Sequence, residues 1–142
     1  MRSLSIPVFV AFVVAGCTSV TVRPVDKTAE LKHLCIQDNP KVIVSDFVTV
    51  VRDGFDRHGI STEIVSGVAP PTCEYLLTYT ALRSWDVTPY LSHAELRIEH
   101  KGRQVGYAEY HLKGKGGFDL TKWAGTKSKI DPVIDELLAG YR

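Results

Sequence analysis

The residue types best suited to chemistry fall in two neighbouring segments, 90–100 and 104–113, in which polar and apolar side chains alternate. Alternation predicts that each segment is a strand with one polar face. Two histidines and several carboxylates on such a face could bind a metal ion or exchange protons. The sequence sets no distances between them and contains no H-E-x-x-H pattern. The polar set is His93, Glu95, Arg97, Glu99, Glu109 and His111.

Two interpretations of this polar set stay open: an ordinary solvated sheet face, and a face that binds a partner protein. Val105 and Tyr107 alternate with the charged residues of the second segment. Mixed charge with such side chains suits a protein interface as well as it suits water. The candidate partner-binding residues are therefore His93, Glu95, Arg97, Tyr107, Glu109 and His111. We predict neither a metal site nor a cofactor.

The sequence also lacks the common signatures of catalysis. Ser84, Ser92 and Ser128 lie in no G-x-S-x-G context, the setting of the nucleophile in α/β-hydrolases. The K-G-K-G-G run at 113–117 lacks the spacing of a phosphate-binding loop, and Asp119 would repel an anion there. We therefore expect a protein that is not an enzyme.

Length and charge bound the class of protein. The chain has 142 residues, which suits one domain. It carries 17 basic and 16 acidic side chains, a net charge of +1, and residues 1–16 contribute only Arg2. A nucleic-acid binder needs a basic face, so this balance argues against a nucleic-acid partner.

The N-terminus has the three parts of a secretory signal peptide: Arg2, an apolar run over 4–14, and small residues before Cys17. The run is shorter than the roughly 20 residues that cross a bilayer. The V-A-G-C sequence at 14–17 resembles the bacterial lipobox. That resemblance implies cleavage before Cys17 and lipidation of its thiol. An ordinary signal peptide with a chance cysteine is the alternative.

The lipobox resemblance divides the chain into a signal peptide (1–16), a lipidated cysteine with its tether (17–29) and a periplasmic domain (30–142). Two or three acyl chains would anchor the protein stably in a membrane. In enterobacterial sorting, Asp directly after the lipidated cysteine retains a lipoprotein in the inner membrane. Thr18 occupies that position, so the resemblance points to the periplasmic face of the outer membrane.

With Cys17 lipidated, Cys35 and Cys73 are the two cysteines left. The periplasm is oxidising, so we predict a disulfide between them. It would close a loop of roughly 38 residues and contribute about 4 kcal/mol by chain entropy. Two free, buried thiols are the alternative. A zinc site is disfavoured because neither cysteine has a partner at C-x-x-C spacing.

The first half of the domain predicts a strand, a helix and a strand. Residues 31–37 suit the first strand, with a shorter one at Val20–Val22 in the tether. Asn39 suits the N-cap and Pro40 the first position of a helix, and Gly59 suits its end. A second strand follows at Ile60–Val65. The apolar stripe of the helix is Val44, Phe47, Val48, Val51 and Phe55.

The second half predicts three strands and a C-terminal helix. Strands over 74–85, 90–100 and 104–113 are joined by short turns at 87–89 and 101–103, which favour antiparallel pairing. Pro132 interrupts the helix, which is either kinked or split in two. The stripe of that helix is Leu120, Trp123, Lys127, Ile130, Ile134, Leu137 and Tyr141.

Together these elements predict an α+β fold of two layers. A mixed, mostly antiparallel sheet of about five strands carries both helices on one face. The first strand, the helix and the second strand form a right-handed parallel crossover. Gly106 and Ala108 are small, which would let a helix approach the last strand closely.

A longer pattern resembles the Sbal-type family of small gammaproteobacterial lipoproteins. The resemblance covers most of residues 30–141 and implies the lipid anchor, the cysteine pair and one domain, without an activity. The motifs are Cys35-x-x-Asp38-Asn39-Pro40, His58-Gly59-Ile60, Cys73-Glu74, Tyr79-Thr80-Ala81, Ser84-Trp85-Asp86, Ala94-Glu95-Leu96, Ala108-Glu109-Tyr110, Lys122-Trp123 and Lys129-Ile130-Asp131-Pro132.

The sequence therefore predicts a membrane-anchored lipoprotein that binds another envelope component. A small-ligand or lipid-binding domain, with a pocket between helices and sheet, is the alternative function.

Overall fold

A computed structural model describes residues 18–113 and 120–141. Within these ranges, one sheet of six strands carries two α-helices and a 3-10 turn. The strands are β1 (Thr18–Arg23), β2 (His33–Gln37), β3 (Ser61–Val65), β4 (Tyr75–Asp86), β5 (Thr88–His100) and β6 (Arg103–Leu112). The helices are α1 (Phe47–Arg57) and α2 (Thr126–Leu137), and the 3-10 turn is Leu120–Trp123. Cys17 and the predicted signal peptide lie outside the described residues.

The strand order is β1-β6-β5-β4-β2-β3. β2 pairs in parallel with β3 and β4, and the other neighbours are antiparallel. The parallel β2-α1-β3 unit and the antiparallel β4-β5-β6 meander confirm the predicted α+β class. No helix in the described ranges is long and apolar enough to cross a membrane.

The sixth strand comes from the segment predicted as a tether, and that part of the prediction is corrected. The strand expected at Val20–Val22 extends over Thr18–Arg23 and pairs with β6 along its whole length. Val25 is only 2% exposed, and its N–H donates to the Leu137 carbonyl. Residues 18–25 therefore pack as part of the domain, because β6 offers an edge and α2 offers an apolar surface.

The predicted start of α1 at Pro40 is wrong, because Asn39 is fixed to the sheet instead of capping a helix. Its side-chain amide donates to the Tyr79 carbonyl at 2.9 Å, and its backbone N–H donates to the Tyr79 hydroxyl. The helix begins at Phe47, after Asp46. Its end is as predicted, with Gly59 in the left-handed region at φ +74°.

The C-terminal helix breaks earlier than predicted. The interruption lies at Gly125, which is extended with ψ 159°, and Pro132 lies inside α2. Leu120 is 76% exposed and the Lys127 side chain 58% exposed, so neither belongs to the apolar stripe. The buried apolar residues of this region follow helical spacing in α2 and at its C-cap, and are Ile130, Val133, Ile134, Leu137 and Leu138.

The core lies between one face of the sheet and the two helices. The predicted alternation of β5 and β6 is confirmed, because the apolar residues of each strand point into the core. Exposures on this face do not exceed 5%. The buried strand residues are Ala94, Leu96, Ile98, Ala108, Tyr110 and Leu112, and the helices add Phe47, Phe55, Ile130 and Ile134.

The predicted disulfide is present between Cys35 in β2 and Cys73 just before β4. Their Cα atoms are 5.7 Å apart, and 38 residues separate them. The enclosed loop contains α1 and β3. Closing a loop of this length lowers the conformational entropy of the unfolded chain and so stabilises the folded protein by about 4 kcal/mol.

Gly54→Ala tests the close approach of the two helices. A Cβ at Gly54 would lie 2.6 Å from Cδ1 and 3.1 Å from Cγ2 of the buried Ile134. Alanine normally favours a helix over glycine by about 1 kcal/mol. Here we expect a loss of about 1–3 kcal/mol in the free energy of unfolding by urea, because of overpacking.

Thr49→Ala, at an exposed position of α1, is the control for helix propensity and should not destabilise the protein. Ile134→Val removes the Cδ1 atom and should recover part of the loss in a Gly54→Ala background. A Gly54→Ala protein at least as stable as the original would contradict the packing described here.

Candidate functional site

The six candidate partner-binding residues form three cross-strand pairs on the sheet face away from the helices. β5 and β6 pair His93 with His111, Glu95 with Glu109, and Arg97 with Tyr107. Side chains two residues apart on a strand project from the same face. The register therefore brings all six together, as the sequence predicted. We name them the polar face: His93, Glu95, Arg97, Tyr107, Glu109 and His111.

Three hydrogen bonds and one longer ion-pair contact link five of these side chains. His93 Nε2 lies 3.0 Å from Glu109 Oε1 and 3.7 Å from Glu95 Oε1. Arg97 donates to Glu95 Oε2 at 2.9 Å, and the Tyr107 hydroxyl donates to Glu109 Oε2 at 3.2 Å. Each carboxylate therefore presents one oxygen to His93 and has its other oxygen held by a second donor.

This arrangement compensates a repulsive pair. Glu95 and Glu109 are directly opposite each other, and like charges at such positions destabilise a sheet. Arg97 neutralises one of them and also lies over the Tyr107 ring, 5.2 Å from its centroid. The side chains of His93 and Glu95 are only 22% and 24% exposed, so the network is partly shielded from water.

The network also sets the protonation of its members. The hydrogen bond with His93, followed by the one from Tyr107, holds the pKa of the Glu109 carboxyl below its usual range. Burial raises the pKa of Tyr107, and the charge of Glu95 adds to the increase. The hydrogen bond to Glu95 raises the pKa of Arg97. At neutral pH the face therefore presents the Glu109 carboxylate, the Arg97 guanidinium and the neutral Tyr107 phenol.

The polar face could hold a cation as well as recognise a partner. His93, Glu95 and Glu109 offer ligand atoms that all lie within 4.8 Å of one another. The His111 ring is 5.3 Å from the His93 ring, between centroids. A second group, His33, Cys35 and Glu63, is similarly close, but Cys35 is committed to the disulfide.

A shallow depression of about 540 Å³ continues the polar face onto β4. Its β4 members could not be found from the sequence, because alternation within one strand does not reveal which residues a neighbouring strand places beside it. The pairing of Leu82 with His93 does so. The lining residues are Leu82, Ser84, Ser92, His93, Glu109, His111 and Leu112.

Two buried lysines were also missed. Lys129 is 8% exposed and donates to the carbonyls of Leu91 and Lys122. Burial lowers the pKa of Lys129. Lys122 is 5% exposed and forms an ion pair with Asp86. Both lysines connect the start of the C-terminal helical region to β4 and β5, so their place is structural.

The chain matches no known family model and no curated protein, and the Sbal-type resemblance stays a prediction. Two crystal forms of the PelC dodecamer from Paraburkholderia phytofirmans, one of them a point variant, resemble its structure. Their TM-scores are 0.53 and 0.51, their identities 12% and 11%, and each match covers 82% of this chain and 96% of PelC. These similarities show the fold alone.

A third solved structure, a minor lipoprotein from Acinetobacter baumannii, is 14% identical with a TM-score of 0.37 over 75% of this chain and 89% of its own. The shared structure is too slight to support an argument.

A double-mutant cycle tests whether the polar face is a coupled network. Arg97→Met should lower the free energy of unfolding by up to about 1 kcal/mol at low salt, because Glu95 and Glu109 then face each other without it. Glu95→Gln in the Arg97→Met background should remove most of that loss. Urea unfolding of the four proteins measures the coupling.

The coupling should shrink at high salt, which screens exposed charges. Arg103→Met, at an exposed position of β6, is the matched control. Equal effects of Arg97→Met and Arg103→Met, with no coupling to Glu95 at low salt, would contradict the network.

Proposed function

We propose that this protein is a lipid-anchored periplasmic lipoprotein that binds another envelope protein through the polar face. The lipid is carried by Cys17, and Thr18 indicates the outer membrane. The role we propose is not enzymatic, because the polar face is open and the one hydroxyl that it holds beside a base, that of Tyr107, is kept protonated by burial, which raises its pKa.

One juxtaposition carries the proposal. Cys17 directly precedes β1, and β1 pairs with β6, the strand that bears Tyr107, Glu109 and His111. Since β1 begins at Thr18, no linker separates the proposed lipid anchor from the sheet. Lipidation would therefore hold the polar face close to the membrane surface instead of on a long tether.

The ordered state of the polar face supports binding over simple solvation. Arg97, Glu95, His93, Glu109 and Tyr107 are already held by one another. Side chains fixed before binding lose less conformational entropy on association. Alternating positive and negative groups favour a partner with a complementary charge pattern.

A groove between sheet and helix favours a second candidate, a small-ligand or lipid-binding domain. It has a volume of about 490 Å³ and lies where β1 and β6 meet α2. Val20, Tyr110, Pro132 and Val133 are among its lining residues. The groove is open at the side that faces solvent, unlike a closed lipid cavity, which ranks this candidate second.

Cys17→Ala should abolish membrane retention, because the thiol that would receive the lipid is absent. The measurement is fractionation of envelopes after expression of the full chain, with the lipid on the original protein identified by mass spectrometry. Thr18→Asp should leave the lipid in place and shift the protein to the inner membrane. A Cys17→Ala protein that still fractionates with the outer membrane would show that the lipobox interpretation is wrong.

Crosslinking in intact envelopes tests the binding role. The lipidated protein should recover one envelope protein in near-stoichiometric amount, and Glu95→Gln with Glu109→Gln should reduce the recovery several-fold. Asp53→Asn, on the exposed surface of α1, should leave it unchanged. If the Glu95→Gln, Glu109→Gln protein recovers the same amount of that envelope protein as the original, the polar face is not the binding site. The groove between sheet and helix then becomes the leading candidate.

A further inference from the structure

The β4–β5 hairpin ends in an exposed apolar tip, defined here as Trp85, Asp86, Val87 and Thr88. Trp85 is 73% exposed and Val87 is 84% exposed. Val87 is the single residue between the strands and has φ +65°. A β-branched residue rarely adopts this left-handed conformation, which favours glycine or asparagine. Backbone strain of this kind clusters at functional positions. We therefore expect the apolar side chain of Val87 to have a function at this position.

The tip is held rigidly despite its exposure. Lys122 forms an ion pair with the Asp86 carboxylate, and the Trp123 indole N–H donates to the Asp86 carbonyl at 2.8 Å. Both donors belong to the 3-10 turn, which also carries Leu120, 76% exposed. Trp85 and Val87 are therefore displayed on a braced scaffold, and the one acidic group of the tip is already neutralised.

The pairing register places this tip at the same end of the sheet as Thr18, which directly follows Cys17 in the chain. Thr18 pairs with Leu112, and the neighbouring His111 pairs with His93 of β5. From that level, β5 runs about four more residues to Thr88, which at about 3.3 Å per residue is roughly 13 Å. The tip thus extends beyond Thr18, the first residue of β1.

The composition around the tip suits a lipid surface. Tryptophan concentrates at the interface between water and hydrocarbon, because its ring is apolar and its N–H is polar. Arg83 in β4 and Lys113 after β6 are exposed at the same end, where basic side chains attract anionic headgroups. The roughly 13 Å by which the tip extends is comparable to the 5–10 Å over which interfacial segments are buried in a bilayer.

We propose that the β4–β5 tip inserts into the outer part of the bilayer beside the lipid on Cys17, which makes a second membrane contact. This inference rests on the proposed lipid anchor at Cys17. Two contacts at one end of the sheet fix the orientation of the domain, whereas a lipid alone allows it to swivel. The polar face then stands roughly perpendicular to the membrane, open to a neighbour in the same envelope.

The test uses the lipidated protein in vesicles of phosphatidylcholine and phosphatidylglycerol whose acyl chains carry bromine, which quenches nearby tryptophan. Trp85→Phe leaves Trp123 as the only tryptophan, so the difference between the original protein and this variant reports on Trp85. We expect Trp85 emission to shift to the blue and to be quenched more strongly by bromine near the headgroups than at the chain ends.

Val87→Asn supplies a variant that should fold at least as well, because asparagine tolerates a positive φ. It removes an apolar side chain from the tip, and we expect at least a twofold loss of Trp85 quenching at unchanged vesicle binding. Val68→Asn is the matched control, since Val68 is 96% exposed and lies outside the tip. It should leave the quenching unchanged.

The outcomes separate this inference from the proposed function. If mass spectrometry finds the lipid on Cys17 and the protein floats with vesicles, but Trp85 is not quenched, the insertion is disproved and the anchor stands. Absence of the lipid would overturn the anchor and the insertion together. A blue shift that depends on protein concentration, without quenching by bromine, would assign the tip to a second copy of the chain and overturn insertion.

Discussion

The antiparallel register of β5 and β6 is the constraint on which the rest of the structure depends. A slip of β6 by one residue would exchange its two faces, and would turn Ala108 and Tyr110 toward water and Glu109 toward the helices. The apolar set fixes the register because it fills the space under α1 and α2. The polar face is thus ordered by burial on the opposite side of the sheet.

Two bulges interrupt the pairing of β5, one with β6 at Val105 and one with β4. The bulge against β4 lies at Ser92 in β5, where Leu82 pairs with His93 but Arg83 pairs with Leu91. A bulge increases the local twist and bends the strand, and here it marks the boundary between the sheet over the core and the outer part of the β4–β5 hairpin. Beyond the bulge, Tyr90 and Leu91 are both buried. The outer end of the hairpin is held by the contacts of Lys122 and Trp123 with Asp86.

The sequence predicted those parts of the structure that depend on local periodicity. The alternation of β5 and β6, the end of α1 at Gly59 and the membership of the polar face all follow from side-chain order along one element. The start of α1 depends on bonds from Asn39 to β4, and the pairing of β1 depends on an edge that β6 offers. Such contacts join distant parts of the chain, so they cannot be predicted from the spacing of residues along the sequence.

The same reasoning explains why the two surfaces of interest differed in how far they could be predicted. The polar face needed only alternation to be found, although its distances required rotamers and hydrogen bonds. The sequence predicted a turn at 87–89, but not that Val87 alone would form it. The exposure of Trp85 depends on a bulge and on hydrogen bonds from residues about 37 positions away. The polar face nevertheless lies partly on β6, the neighbour of β1, and the tip lies at the end of the sheet at which β1 begins, directly after Cys17 in the chain. An anchor at that point would set the orientation of both surfaces at once, whereas a flexible tether over 17–29 would have left them independent.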